Sequence, residues 1–414
     1  MSVEDGTRSR PDFRRIVWPL AIAETIIWAG VYYAFPALLP AWESDLGWSK
    51  TALSGAFTLS LLTGAVVAPI AGRLIDHGHG RVVLTGGAVL GAVFLLLLSQ
   101  ATTLWHFYAL WVGLGLAMAC SLYQACFAFL THALGEKSRR AIVLVSLVAG
   151  FAGTISFPTA HSLVALSDWR LAVIVFAIAI LVVAVPLFWI GARPQGASDL
   201  ALERQPSARA SEAMRVARTA VFWLMALSFA AIAINHGIIT THILPILADR
   251  GVHEDAAVLA AAMIGPMQVA GRLAMMAAER YVSTRFIIVA CDLSLAVAAA
   301  LLLATGFVAQ PGLVAGFVIV MGAGVGVTSI VRPVVIAELL GRRNFGLVSG
   351  LLAMPTTAGY AAAPTLAALL WTEGQRWERG YDFVLAVAIL LALLGLATVL
   401  AAWRVAAPPA RSLS

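Results

Sequence analysis

The stretch Leu171–Ile190, LAVIVFAIAILVVAVPLFWI, runs for twenty residues without a charge, an amide or a hydroxyl. As a helix rising 1.5 Å per residue it would be about 30 Å long, the thickness of a bilayer's hydrocarbon core. Working outward from it, comparable stretches recur along the chain. Ile16–Leu39, Ala52–Leu74, Val82–Ser99, Leu104–Leu130 and Ala141–Leu163 precede it. Ala220–Leu247, Ala256–Ala277, Phe286–Val308, Leu313–Leu339, Phe345–Leu370 and Phe383–Trp403 follow it. Barrel strands would instead alternate over about ten residues. The sequence predicts an all-α membrane protein with twelve transmembrane helices.

Composition excludes the alternatives. Of 414 residues, 61% are hydrophobic and 12% charged, against roughly 45–50% and about 25% in soluble domains. Mean hydropathy is +0.91. A cytosolic enzyme, a disordered chain and a secreted disulfide scaffold are ruled out. The net charge of +6 is spread in short runs between apolar stretches, which suits cytosolic loops and not a nucleic-acid patch. Cys120, Cys126 and Cys291 lie inside apolar stretches, an odd count that fits neither disulfides nor a zinc site. The first apolar run is too long for a signal-peptide core and is expected to stay as the first span.

One long polar segment, Gly191 to Thr219, carries Arg193, Arg204, Arg209, Arg215 and Arg218. It divides the chain into an N-terminal half (1–192), a linker (193–218) and a C-terminal half (219–414), with six spans in each half. With both termini in the cytosol, 21 of the 27 Lys and Arg residues fall on the cytosolic side and five outside, as the positive-inside rule requires. The halves echo one another. Ala71-Gly72-Arg73-Leu74 matches Ala270-Gly271-Arg272-Leu273, and Asp45-Leu46-Gly47 matches Asp249-Arg250-Gly251. Leu134-Gly135 matches Leu340-Gly341, and Pro158 matches Pro364. Two six-helix repeats imply a substrate path between them near the midplane, opened alternately to either side.

On these residues the chain resembles the major facilitator superfamily. The loop Gly72-Arg73-Leu74-Ile75-Asp76-His77-Gly78-His79-Gly80-Arg81 is similar to the family's signature between helices two and three, with one extra residue and His77 where an arginine is usual. The resemblance implies that Asp76 and Arg81 act in gating. Asp168-Trp169-Arg170 resembles the family's Gly-Trp-Arg before helix six. Asp45-Leu46-Gly47-Trp48-Ser49 is similar to prokaryotic relatives of the monocarboxylate porters. The helix-four arginine and helix-five Gly-Pro of drug/proton antiporters are missing, at Leu110–Gly113 and at Gly150–Gly153 with Phe157-Pro158. Uptake is therefore favoured over drug antiport. Span eleven has no Lys or Arg, so a dianion is not favoured.

Within the spans a few residues could carry transport. Glu24 lies about 12 Å inside span one, where an ionised carboxylate is costly. It either takes up and releases a proton or is paired structurally. Trp28 and Tyr32 are one turn apart, beside Tyr33 and Phe35, and suit stacking on a planar ligand or interfacial packing. Tyr123 and Gln124 are comparable candidates in span four. Asn235, His236, Thr240 and His242 make the middle of span seven polar; they line a cavity or join helices by hydrogen bonds. Arg272 could grip a substrate carboxylate, or latch the cytosolic side as its repeat partner Arg73 would. Arg332 beside Pro333 has binding and structural readings, and Asp292 near the start of span nine fits a crevice. The run Gly322–Gly326 lies inside an apolar helix, where it permits close helix approach and not nucleotide binding.

The expected protein is a secondary transporter of the inner (plasma) membrane, working as a monomer in the lipid bilayer. Its expected partners are a small organic solute, neutral or monoanionic, and protons. A planar vitamin such as riboflavin and a monocarboxylate both fit. Neither cofactor, metal, nucleic acid nor enzymatic activity is expected. Efflux of a toxic compound and a non-transporting sensor on the same fold are the alternatives.

Overall fold

A computed structural model describes residues 13–193, 215–278, 281–308, 310–341 and 345–406. Among them every regular element is helical. The expected linker lies outside the described residues, apart from Arg193 and 215–218.

The first membrane-length stretch, Phe13–Leu46, comprises α1 (Phe13–Ile27), a π turn (Trp28–Tyr32) and α2 (Ala34–Leu46). Next come α3 (Lys50–Leu74) and α4 (Gly80–Leu98), separated at Gly78, whose φ of 85° suits glycine. Leu122 interrupts the following span, between α5 (Leu104–Ser121) and α6 (Tyr123–Leu134). Gly150 and Phe151 interrupt the next, between α7 (Ser138–Ala149) and α8 (Ala152–Leu166). A second π turn, Ile180–Ala184, joins α9 (Trp169–Ala179) to α10 (Val185–Gly191). Beyond the linker, His242 separates α11 (Ala220–Thr241) from α12 (Ile243–Asp249). There follow α13 (Glu254–Ala278), α14 (Thr284–Ala304), α15 (Pro311–Leu340), α16 (Phe345–Arg376) and α17 (Gly380–Ala406). Among the described residues ten stretches are long and apolar enough to cross a bilayer. One is the 49-residue run Lys50–Leu98 that Gly78 divides; the 32-residue α16 lies outside the ten.

Local chemistry fixes many helix starts. Ser49, Thr103, Asp168, Thr219 and Ser283 each accept a hydrogen bond from the backbone N–H three residues on, satisfying a first-turn donor. Asp45 sits in the last turn of α2, which Gly47 ends with a left-handed cap (φ 66°). The echoing Asp249 ends α12, with Gly251 at φ 68°.

Small residues set the packing. A Cβ at Gly115 would strike the Ser60 carbonyl, bringing α5 hard against α3. Gly271 abuts Ala323, Gly322 meets Met267 and Gly326 meets the Gln268 carbonyl, so α13 and α15 approach closely. This is the role expected of Gly322–Gly326.

The helices before the linker pack on one another, as do those after it, and the two groups meet along two seams, α3 with α16 and α8 with α13. In the first seam Lys50 Nζ lies 4.2 Å above the Trp371 ring, and Thr365 donates to Thr58 at 2.8 Å. His242, buried, sits 3.3 Å from Ser54, 3.0 Å from the Tyr381 hydroxyl and 3.2 Å from the Pro364 carbonyl. All these contacts lie toward the face opposite the termini. Further along the same stripe of α3, Leu62, Ala65 and Pro69 are exposed, as are Ala358 and Met354 of α16. The halves are therefore closed at the face opposite the termini and part toward the terminal face along this seam.

Candidate functional site

Glu24 of α1 is fully buried. Trp28 Nε1 donates to its Oε2 at 3.1 Å. Oε1 has no partner among the described residues. A buried carboxyl oxygen without a partner carries a large desolvation penalty if the group is ionised. The pair Glu24–Trp28 is one turn apart, so the π turn that starts at Trp28 fixes where the indole meets the carboxylate. Ser156 of α8 donates to the Ala29 carbonyl inside that turn at 2.8 Å, pinning the widened backbone to the fifth span. Such turns recur at functional sites.

The Trp28 ring lies 4.9 Å from Tyr32 and 4.7 Å from Tyr123. Tyr32 continues to Tyr33 (5.3 Å) and Phe57 (5.4 Å), and Tyr123 stacks on Phe127 at 4.9 Å. Tyr123 directly follows the extended residue Leu122, so the break in the fourth span aims it at Trp28. Gln124, its neighbour, is exposed. One aromatic wall is thus built from spans one and four of the N-terminal half.

The facing wall comes from the other half. His236 lies 3.4 Å from the Thr240 hydroxyl and edge-on to Tyr360 at 5.9 Å. A small cavity with room for about one water lies between the walls, lined by Tyr33, Gly153, Phe157, His236, Thr240 and Gln268. Asn235 turns elsewhere: it is buried and its Nδ2 donates to the Ala388 carbonyl of α17 at 2.7 Å. His242 belongs to the seam and not to this cavity.

Arg272 is buried where the halves meet. Its Nη1 donates to the Ser146 carbonyl of α7 at 2.7 Å and its Nε to the Gly326 carbonyl of α15 at 3.2 Å. Arg332 holds its guanidinium 4.6 Å from the Phe229 ring, and Asp292 is buried.

The two gating candidates do not pair with each other. Asp76 meets His132 of α6 at 2.6 Å, while the Arg81 guanidinium lies 3.4 Å above the Trp189 ring of α10. Both contacts are within the N-terminal half. Sequence reasoning missed Tyr360, Ser146 and His161. No linear signal marks them, because their importance lies in partners on other helices.

Membrane-length helices in two groups, facing each other across a polar and aromatic seam, define a multi-pass membrane transporter. The chain belongs to the Major Facilitator Superfamily, whose family model matches residues 20–328. Its fold is similar to that of a bacterial homologue of the human lysosomal transporter Spinster. For the inward-facing and occupied form of that protein the identity is 14%, with 94% of this chain and 96% of that chain covered at a TM-score of 0.66. For the inward-facing and unoccupied form the values are 17%, 96%, 96% and 0.63. The nucleoside transporter NupG, as a point mutant, is similar at 13% identity, 95% and 99% coverage and a TM-score of 0.70. At these identities the likeness is one of fold. No curated protein sequence matches the chain.

Proposed function

We propose that the protein is a secondary transporter that takes up a small organic solute, neutral or singly negative, such as a planar vitamin or a monocarboxylate, by alternating access. The observation that supports this reading best is the buried Glu24 bonded to Trp28 of the Trp28–Tyr32–Tyr123 wall, which Tyr33 continues to the small cavity lined by His236 and Thr240 of the other half. The aromatic faces would stack on a flat ring system. The substrate lies between the halves, and rocking of one against the other exposes it to one face at a time. Glu24, out of water, carries a proton when neutral and releases it when the passage opens, which couples uptake to the proton gradient. A flavin-like vitamin and a monocarboxylate both match this chemistry. The protein acts as a monomer in the inner membrane with both termini in the cytosol, following the distribution of Lys and Arg.

Uptake by cells expressing the protein tests the reading, using radiolabelled riboflavin and a panel of monocarboxylates with and without a proton uncoupler. Accumulation that collapses with the uncoupler and with Glu24→Gln is the expected result. Uptake indifferent to both would reduce Glu24 to a structural role, and faster loss from preloaded cells would reverse the direction.

A further inference from the structure

Two faces of α13 meet different surroundings. Ile264, Gly265 and Gln268 border the small cavity at the seam. On another face, Ala260, Met263 and Met267 line a cavity of about 620 Å³ toward the face opposite the termini, while Gly271, Ala274 and Ala278 line one of about 470 Å³ toward the terminal face. Those residues recur three or four apart, so both cavities follow one stripe of the helix. Ile319 of α15 borders both. Together they form a furrow about 27 Å long at 1.5 Å per residue, left open because α13 and α14 each pack on α15 but scarcely on one another. Leu259 and Ile319, which line the larger cavity, are exposed, so the furrow opens sideways to the bilayer and not to the passage between the halves.

At its outer end the larger cavity is lined by Arg250, Gly251 and His253. The Arg250 side chain is only 5% exposed. Its Nη1 meets Asp382 of α17 at 2.6 Å, and the guanidinium passes over Gly306, where a Cβ would strike it. Nε and Nη2 are buried with no hydrogen-bond partner among the described residues. A buried guanidinium short of acceptors is costly, and the largely apolar furrow beside it supplies few.

We propose that the furrow binds a phospholipid of the leaflet at this face, with its phosphate on Arg250 and an acyl chain laid between α13 and α15. Phosphate oxygens would accept from the guanidinium, whose planar fork suits them. The chain would cover Leu259, Val314 and Ile319. Carboxylates surround the headgroup position: Asp382, Asp249 at 3.9 Å from Arg250 Nε, and Asp255 at 3.6 Å from His253. Asp255 and Glu254 also reach His161 of α8, at 3.0 and 3.2 Å. A headgroup with an ammonium beside its phosphate answers both signs of charge. A helix from a second copy could fill the apolar furrow, but its backbone carbonyls are spent within itself and bring Arg250 no acceptor.

Lipid titration of the delipidated full-length protein, read by native mass spectrometry, tests the proposal. The probe is palmitoyl-oleoyl phosphatidylethanolamine, and the comparison is diacylglycerol with the same chains and no phosphate. One phosphatidylethanolamine should bind wild type about ten-fold more tightly than diacylglycerol does, as one charge-assisted contact predicts. Arg250→Gln should erase that difference. Ala315→Trp, at an exposed position in the furrow, keeps Arg250 and should weaken binding of both lipids. Leu390→Trp, exposed on α17 away from the furrow, should bind as wild type. Equal retention of the two lipids by wild type, or wild-type binding by Ala315→Trp, overturns the proposal. A dimer that persists with phosphatidylethanolamine and is lost in Ala315→Trp gives the furrow to a second copy and overturns it too. Uptake plays no part in the measurement, so this proposal and the transporter reading fail separately.

Discussion

Arg272 of α13 reaches across the seam to donate from Nη1 to the Ser146 carbonyl of α7, 2.7 Å away, while its Nε donates to the Gly326 carbonyl of its own half. A buried guanidinium satisfied by backbone carbonyls acts as a strap as well as a charge. Arg272→Ala removes two hydrogen bonds from a charged donor, while the Ser146 carbonyl keeps the Gly150 N–H, and should cost about 2–4 kcal/mol. Arg272→Lys has one ammonium in place of a fork and cannot span both acceptors as well, so it should recover only part of the loss. Thermal unfolding in detergent, comparing the three proteins, measures this. A midpoint unchanged in Arg272→Ala would show that the strap contributes nothing.

Glu24 and Trp28 can be separated by conservative changes. Glu24→Gln keeps an oxygen able to accept from Trp28 Nε1, so the fold should survive with a melting temperature near wild type. The amide cannot carry a proton, and proton-driven accumulation should fall at least ten-fold while exchange of substrate persists. Counterflow in proteoliposomes, run beside uptake under a pH gradient, distinguishes the two.

Trp28→Phe preserves most of the ring contacts with Tyr32 and Tyr123 but deletes the N–H that reaches Glu24. Trp28→Ala removes both. For a substrate that stacks on this wall, KM should rise several-fold in Trp28→Ala and much less in Trp28→Phe, since one aromatic contact is worth about 0.5–1.5 kcal/mol. Equal KM values across wild type and both variants would move the substrate off the wall.

Gly115 and Gly326 allow no side chain. A Cβ on Gly115 would meet the Ser60 carbonyl of α3, and one on Gly326 the Gln268 carbonyl of α13. Because backbone cannot yield as a side-chain tip can, Gly115→Val and Gly326→Val should each destabilise by about 1–3 kcal/mol. Gly86→Ala, facing open space, should be tolerated, as size-exclusion profiles and thermal unfolding would register.

Much of the architecture was legible in the chain itself. Stretches such as Leu171–Ile190 determine that helices cross a bilayer, because an unpaired backbone in hydrocarbon is too costly for any other arrangement of that length. The paired Asp-x-Gly endings were readable as repeats, and both glycines do supply left-handed caps. Glu24, Trp28 and Tyr32 stood out because polar and clustered aromatic residues are conspicuous against an apolar background.

What tertiary structure decided is which of those residues meet. Nothing local tells that Tyr123 packs on Trp28, that Asn235 turns to Ala388 while His236 faces the cavity, or that Asp76 and Arg81 take separate partners. Side-chain hydrogen bonds and ring contacts act over a few ångströms, so they depend on helices brought together from distant parts of the chain, 307 positions apart for Thr58 and Thr365. Hydropathy is a property of a segment and survives in the linear sequence; a contact between segments is created only when close-packed small residues set how near and at what register the helices lie.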